Sequence, residues 1–327
     1  MVARPPDRQI IGRPPALDVD AQPSRITAVT GAAILPSSVA TRFAHVLCHR
    51  LAQENGVRLL SIKGPVAMAE GLRPPYTPSD ADVLVDPNDA DRFVEILGAL
   101  GWRARPSEGL PRLLEEHSVT LINDRWPCDI DVHRRFPGFL AADDQVFDLM
   151  WNDRSAIDIA GVACDAPPTE ANWAIAVLHV YRDGWKSDQS ASDGLIEFAR
   201  RRFARESLAG LVSWVKASGA MATLEPAMTA LGVYDASCAV DSVALARWRI
   251  RREAGLSPAL PLIVELAEGR LLSAATLCWK MLTASSHRRH KGESPDRRPL
   301  VLRVVRTLPA LPRWVKLVRR SLRTGPE

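Results

Sequence analysis

Ser79-Asp80-Ala81-Asp82-Val83-Leu84-Val85 is the stretch on which the fold turns. Its apolar end, Ala81 to Val85, reads as a buried strand, and Asp80-Ala81-Asp82 stands where that strand begins. Residues i and i+2 of an extended chain point to one face, so both carboxylates project together. Two like charges so close repel unless a cation or a proton lies between them. Val83, Leu84 and Val85 anchor the strand in a core, which holds the acids on a rigid element.

A second acidic strand follows. Cys128-Asp129-Ile130-Asp131-Val132-His133 alternates, with Asp129, Asp131 and His133 on one side and Ile130 and Val132 on the other. Residues 117–122 read as its hairpin partner, joined through a turn containing Asn123-Asp124. If the two acidic strands are neighbours, three carboxylates converge. An oxygen-only set of this kind suits a hard divalent cation such as Mg²⁺, with Mn²⁺ as the alternative.

Working outward, Ser37 or Ser38 is placed to cap a helix through Val39, Phe43, Val46, Leu47 and Leu51 that ends at Gly56. Residues 57–62 form a short apolar strand. Lys63-Gly64-Pro65 then turns into a short helix, with Pro65 suited to its first position. A strand end, a glycine and a helix N-terminus suit an anion, and Lys63 adds a full charge. After a Pro-rich loop (73–78) and the acidic strand, Asp86-Pro87 caps and starts a helix with the stripe Phe93, Ile96, Leu97 and Leu100. Residues 155–159 and 162–164 read as a hairpin around Gly161. Beyond Pro168 the periodicity becomes helical, near 169–181, 193–217, 223–231, 236–253 and 259–283. The fold class is α/β (α+β): a small mixed-sheet unit followed by a mainly helical domain. The expected divisions are a flexible N-terminal arm at 1–35, the sheet-bearing domain at 36–168, the helical domain at 169–284 and a basic tail at 285–327.

Composition sets bounds on these readings. The 327 residues are 46% hydrophobic and 24% charged, as in ordinary globular chains, and no apolar run reaches the ~20 residues of a membrane span. The Pro- and Arg-rich N-terminus lacks an apolar secretory core, so a cytoplasmic location is expected. Five scattered cysteines with no C-x-x-C spacing read as reduced, packed thiols rather than a zinc site. The net charge is +4, yet residues 285–327 hold twelve Lys/Arg against three Asp/Glu. Within this tail, Pro312 to Leu322 can form a basic amphipathic helix. It could contact nucleic acid, lie on a membrane surface or dock an acidic partner, or simply pack on the body with a solvated basic face.

Taken together, Lys63-Gly64, then Ser79 to Val85, then Asp129-Ile130-Asp131-Val132-His133 resembles the uncharacterised nucleotidyltransferase family of the DNA polymerase beta-like superfamily. The resemblance covers roughly residues 40 to 200 and extends through Leu178-His179 and Asp193, where similar proteins carry a His and an Asp in a helical region. It implies a small mixed-sheet nucleotidyltransferase domain, a divalent cation and a nucleoside triphosphate, with ATP expected. Asp80, Asp82 and Asp131 would be the catalytic, metal-binding carboxylates, Asp131 assisting deprotonation of the acceptor. Lys63, Gly64, Ser79 and Arg73 would contact the nucleotide, and His133, His179 and Asp193 the substrate. In this chain Pro65 replaces the second Gly or Ser of the superfamily turn, so phosphate binding must lean on Lys63 and later helix N–H groups.

Each of these residues also has a plainer role available. Asp129 suits a solvated acid, His133 a structural or carboxylate-orienting histidine, His179 a satisfied core histidine, Asp193 a helix cap and Arg73 a solvated loop cation. The expected function is transfer of a nucleotidyl group to an acceptor hydroxyl on a small molecule, peptide or protein. Phosphoryl transfer at the same site, and a catalytically idle binding module whose tail engages a partner, are the alternatives.

Overall fold

The computed structural model describes residues 35–105, 117–182, 189–203, 205–238, 242–254, 259–267 and a few positions beyond. The N-terminal arm falls outside the described residues. So does most of the basic tail, of which Pro312, Val315, Lys316 and Val318 are helical, with Val318 buried and Lys316 exposed.

The chain folds as a mixed sheet flanked by helices, the expected α+β class. In order, α1 (Ser37–Asn55), β1 (Leu59–Ser61), α2 (Gly64–Ala69), β2 (Asp80–Val85), α3 (Ala90–Ala99), β3 (Arg103–Ala104), β4 (Ser118–Ile122) and β5 (Asp129–His133) build the first half. The sheet order is β1-β2-β5-β4-β3. The pairing of β2 with β5 is parallel and that of β1–β2, β5–β4 and β4–β3 antiparallel. Then follow α4 (Asp143–Asn152), the hairpin β6 (Ser155–Ile159) and β7 (Val162–Ala166), and the helices α5 (Thr169–Arg182), α6 (Gln189–Arg202), α7 (Arg205–Ala217), α8 (Glu225–Ala230), α9 (Ser242–Ala254) and α10 (Ala259–Ala267).

Alternation along the strands assigns the two faces of the sheet. Ala81, Val83 and Val85 of β2 and Ile130 and Val132 of β5 pack with α1 and α3 through Ala40, Ala44, Cys48, Phe93 and Leu97. Leu60, Ile62 and Leu84 face the other way, into a core with Phe136, Phe147, Met150, Trp173 and residues of α6 to α9. The acids of β2 and β5 share that second face.

Several local readings are corrected. The buried face of α1 is Ala40, Thr41, Ala44, His45, Cys48, His49 and Ala52, while Val39 and Phe43 are exposed, because small side chains let the helix lie close on the sheet. Pro36 rather than a serine precedes α1, with no side-chain cap; Gly56 ends it in the left-handed conformation at φ 64°. Asp86 does not cap a helix at Pro87. It accepts the Asn88 N–H at 3.0 Å and the Arg58 guanidinium, and α3 starts at Ala90. Strand β3 and helix α4 were not anticipated. Helix α4 carries its own signals in Asp143 and Asp144 at its first turn and Val146, Phe147 and Met150 on its buried face. Cys48, Cys128, Cys164 and Cys238 are free thiols, the first three buried. Among the described residues no helix is long and apolar enough to cross a membrane.

Candidate active site

The parallel register of β2 and β5 sets Asp80 beside Asp129 and Asp82 beside Asp131, with Leu84 beside His133. Strand alternation then turns Asp82, Asp131 and His133 onto one face, where a ligand atom from each lies within 4.8 Å of the others. Asp80 stands at the exposed edge of this group, with the Ser79 hydroxyl 3.3 Å from its Oδ1.

Asp82 is the hub. Lys63 Nζ lies 2.6 Å from its Oδ1, and His133 Nε2 donates to the same oxygen at 2.9 Å. Burial pushes the Asp82 carboxyl up, but the Lys63 ammonium and His133 outweigh it and hold the group well below the ordinary carboxylate range. Asp80 goes the opposite way: burial, then the charges of Asp82 and Asp131, push it up to about 6. His133 is 1% exposed, and burial holds its imidazole neutral against the pull of Asp82. Since its Nε2 donates to Asp82, its Nδ1 carries the lone pair, and that atom is buried without a partner. Asp131 Oδ1 is likewise buried with no hydrogen-bond donor. A buried carboxylate oxygen without a donor is costly. Its neighbourhood of oxygen ligands fits a hard cation.

Lys63 reaches Asp82 from an uncommon backbone conformation, φ 54° and ψ −144°, followed by Gly64 at φ 31°. A non-glycine residue at positive φ stores strain on the order of 1 kcal/mol, and such residues concentrate at functional sites. Behind this turn lies a group that sequence reasoning missed. His45 Nδ1 and His49 Nε2 both meet the Ser61 hydroxyl, at 2.9 and 3.0 Å. A Cβ on Gly64 would lie 3.7 Å from His45 Nε2, itself buried without a partner. Histidines on an otherwise apolar helix face, four residues apart, were the available signal.

Residues 30–196 match the family described as uncharacterised nucleotidyltransferase, just over half of the 327-residue chain. The chain belongs to that family. The chain is also similar to solved structures at low identity. The antibiotic-resistance factor ANT(2'')-Ia gives a TM-score of 0.38 at 13% identity, over 61% of this chain and 98% of that one. An antigenic nucleotidyltransferase-like protein from Paracoccidioides brasiliensis gives 0.35 at 13%, over 60% and 94%. A tRNA-processing enzyme in an apo form gives 0.26 at 14%, over 89% and 93%. No curated protein matches the chain.

Asp129, read above as a solvated acid, and the remaining expected residues Arg73, His179 and Asp193 lie outside this cluster. Asp129 is drawn off to the rim by the Arg105 guanidinium. Arg73 is exposed and its guanidinium carbon lies 3.9 Å from the centre of the Tyr76 ring, which senses the charges of Asp82 and Asp80. His179, half-buried on α5, has its Nδ1 3.2 Å from Arg182 Nη2. Asp193 is exposed near the start of α6. Helix α2 has six residues, so its dipole is weak and Lys63 is the principal cation at the turn.

Proposed function

We propose that this nucleotidyltransferase moves a nucleotidyl group from a nucleoside triphosphate, with ATP expected, to an acceptor hydroxyl on a small molecule, peptide or protein, and that it needs a divalent cation to do so. The observation that carries this reading is the pairing of Asp82 with Asp131 across parallel strands, leaving one buried Asp131 oxygen without a donor. Asp82 and Asp131, with Asp80 at the edge, would hold the cation, Mg²⁺ or Mn²⁺ by the chemistry of carboxylate donors. Such an ion neutralises charge on the transferring phosphate and acidifies a bound hydroxyl.

The chain's own groups have separable tasks. His133 donates to Asp82 and fixes the orientation of that carboxylate. Lys63 offers its ammonium to a phosphate oxygen. Asp131 takes the proton of the acceptor hydroxyl. The acceptor oxygen forms a bond to the α-phosphorus as the bond between that phosphorus and the oxygen bridging to the β-phosphorus breaks, and diphosphate leaves.

The test is transfer of radiolabel from the four nucleoside triphosphates, labelled in turn at the α- and the γ-phosphate, with Mg²⁺ or Mn²⁺ and cell extract as acceptor source. Label from the α-position is expected. It should fall by at least about 100-fold in Asp82→Asn and in Asp131→Asn, since loss of groups that merely support metal ligands costs 10–100-fold. Label moving only from the γ-position would replace this reading with phosphoryl transfer. No transfer at all, alongside Mg²⁺-independent nucleic-acid binding, would make the chain a binding module.

A further inference from the structure

Lys63 occupies the position on Asp82 that a cation would take. Its ammonium lies 2.6 Å from Asp82 Oδ1, the oxygen to which His133 Nε2 also donates at 2.9 Å. Asp131 brings a second carboxylate to the group, and one of its oxygens is buried without a donor. The ammonium charge bears on Asp80, Asp82 and His133 together. Lys63 is thus the counter-ion of the cluster, and its side chain is only 16% exposed.

A divalent cation and an ammonium compete for this carboxylate. The two repel each other, and a buried pair of charges is poorly screened by solvent. The turn fixes where the Lys63 stem begins, at φ 54° between buried Ile62 and buried Gly64. The flexible four-carbon stem can still swing the ammonium. The Phe136 ring, its centre 5.7 Å from Nζ, can hold a cation at its face but brings no negative charge to match. A phosphate chain does bring that charge. Its oxygens can meet the ammonium and the ion at once, so two cations that repel come to share one anion.

We propose that Lys63 is a latch that keeps the acidic site from taking a divalent cation until a triphosphate arrives; this rests on the nucleotidyl-transfer reading above. In the free chain the ammonium holds the cation's place on Asp82. A triphosphate draws the ammonium off, and Asp82 and Asp131 then accept the ion. Cation and triphosphate bind as a pair, each tightening the other by the same factor. The latch keeps a buried carboxylate paired while no substrate is bound.

Mn²⁺ binding to the full chain, read from the electron paramagnetic resonance signal of the free ion, tests this. The proteins are wild type, Lys63→Met, Lys63→Gln, Lys63→Arg, and Lys63→Met combined with Asp131→Asn. With no nucleotide present, Lys63→Met and Lys63→Gln should bind Mn²⁺ about tenfold or more tighter than wild type, the scale on which coupled sites influence one another. A group that only supports the fold would not raise an affinity when removed. Lys63→Arg should stay as weak as wild type, and the gain should vanish with Asp131→Asn. An ATP analogue with a methylene bridge between its α- and β-phosphorus should tighten Mn²⁺ binding to wild type, beyond the analogue's own hold on the ion. It should add much less in Lys63→Met. Mn²⁺ should also raise the unfolding midpoint of Lys63→Met more than that of wild type, which reports the fold of the variant. Wild-type Mn²⁺ binding that the analogue leaves unchanged overturns the latch with no variant needed. So does an affinity in both neutral variants no better than wild type, or a gain that survives Asp131→Asn. The transfer assay keeps the two readings apart. Transfer of α-label without these shifts in Mn²⁺ affinity keeps the reaction and removes the latch. The shifts, in a chain that moves no label or only γ-label, keep the latch and remove the reaction.

Discussion

On the face of the sheet that carries Leu84, Asp82 is 5% exposed and stays ionised because Lys63 and His133 converge on one of its oxygens. On the opposite face, toward α1, His45 and His49 are 0% and 3% exposed and share the Ser61 hydroxyl instead. Burial lowers each of these two histidines to about 4, so they are neutral at pH 7. One face offsets the cost of burying polar groups with opposite charges, the other by shedding charge. The charged face can be reorganised by any ligand that brings charge. The neutral face has nothing to exchange and serves as a fixed back wall for the Lys63–Gly64 turn.

Acid should break the neutral face first. The unfolded pKa of each histidine is near 6.5, above its folded value of about 4. The unfolded chain therefore binds more protons between those limits, and stability present above pH 6.5 is lost as pH falls toward 4. Each histidine accounts for on the order of 3 kcal/mol across that window. The groups that bear on them are Asp82 and His49 for His45, and Asp165 for His49. Asp80, raised to about 6, has the opposite sign and opposes part of the loss. Urea unfolding from pH 7 to 4.5 should show a steep fall in stability, with a clearly shallower slope in His49→Gln. A flat profile in wild type would mean that these imidazoles are already charged or reached by water.

The charged face should break by removal of its cation. Lys63→Met leaves Asp82 buried against His133 alone, and removing one partner of a buried pair costs about 3–5 kcal/mol. Proton uptake by His133 can offset part of this, which places the expected loss at the low end. Replacing Asp82 by Asn in the same chain should recover most of it. Two losses that simply add, in a double-mutant cycle of unfolding free energies, would show that Lys63 and Asp82 do not depend on one another.

The comparison also explains what could be read from the sequence. The acidic strands were legible because alternation is local: Asp80 and Asp82, and Asp131 and His133, share faces by a period of two. The hairpin at Gly161 and the stop at Gly56 were legible for the same local reason, a left-handed backbone that glycine adopts freely. The neutral face was hidden, because His45 and His49 look like interruptions in an apolar helix until Ser61 is placed beneath them. The contacts of His117 with Arg182 and Arg251 were hidden more deeply, since they join the residue before β4 to α5 and α9, the latter 134 positions away. Asp129 showed the converse. Its spacing matched that of Asp131, and only the fold shows Arg105 pulling it to the rim.

Helix α1 gives the smallest and sharpest test, because there the apolar positions divide: Leu47 and Leu51 pack against the core while Val39 and Phe43 stand off it. Val39 and Phe43 are 37% and 45% exposed, whereas Ala44, at 0%, lies between the helix and the sheet beside the two histidines. Phe43→Ser should alter stability by no more than about 0.5 kcal/mol, as surface substitutions do. Ala44→Leu should cost about 1–3 kcal/mol, because added methylenes cannot fit where a helix lies flush on strands. It should also push α1 off Ser61 and raise the ring pKa values of His45 and His49, which NMR titration reads directly. A Phe43→Ser loss larger than that of Ala44→Leu would return the buried face of α1 to Val39 and Phe43. It would also take away the close approach that holds both histidines neutral behind the Lys63–Gly64 turn.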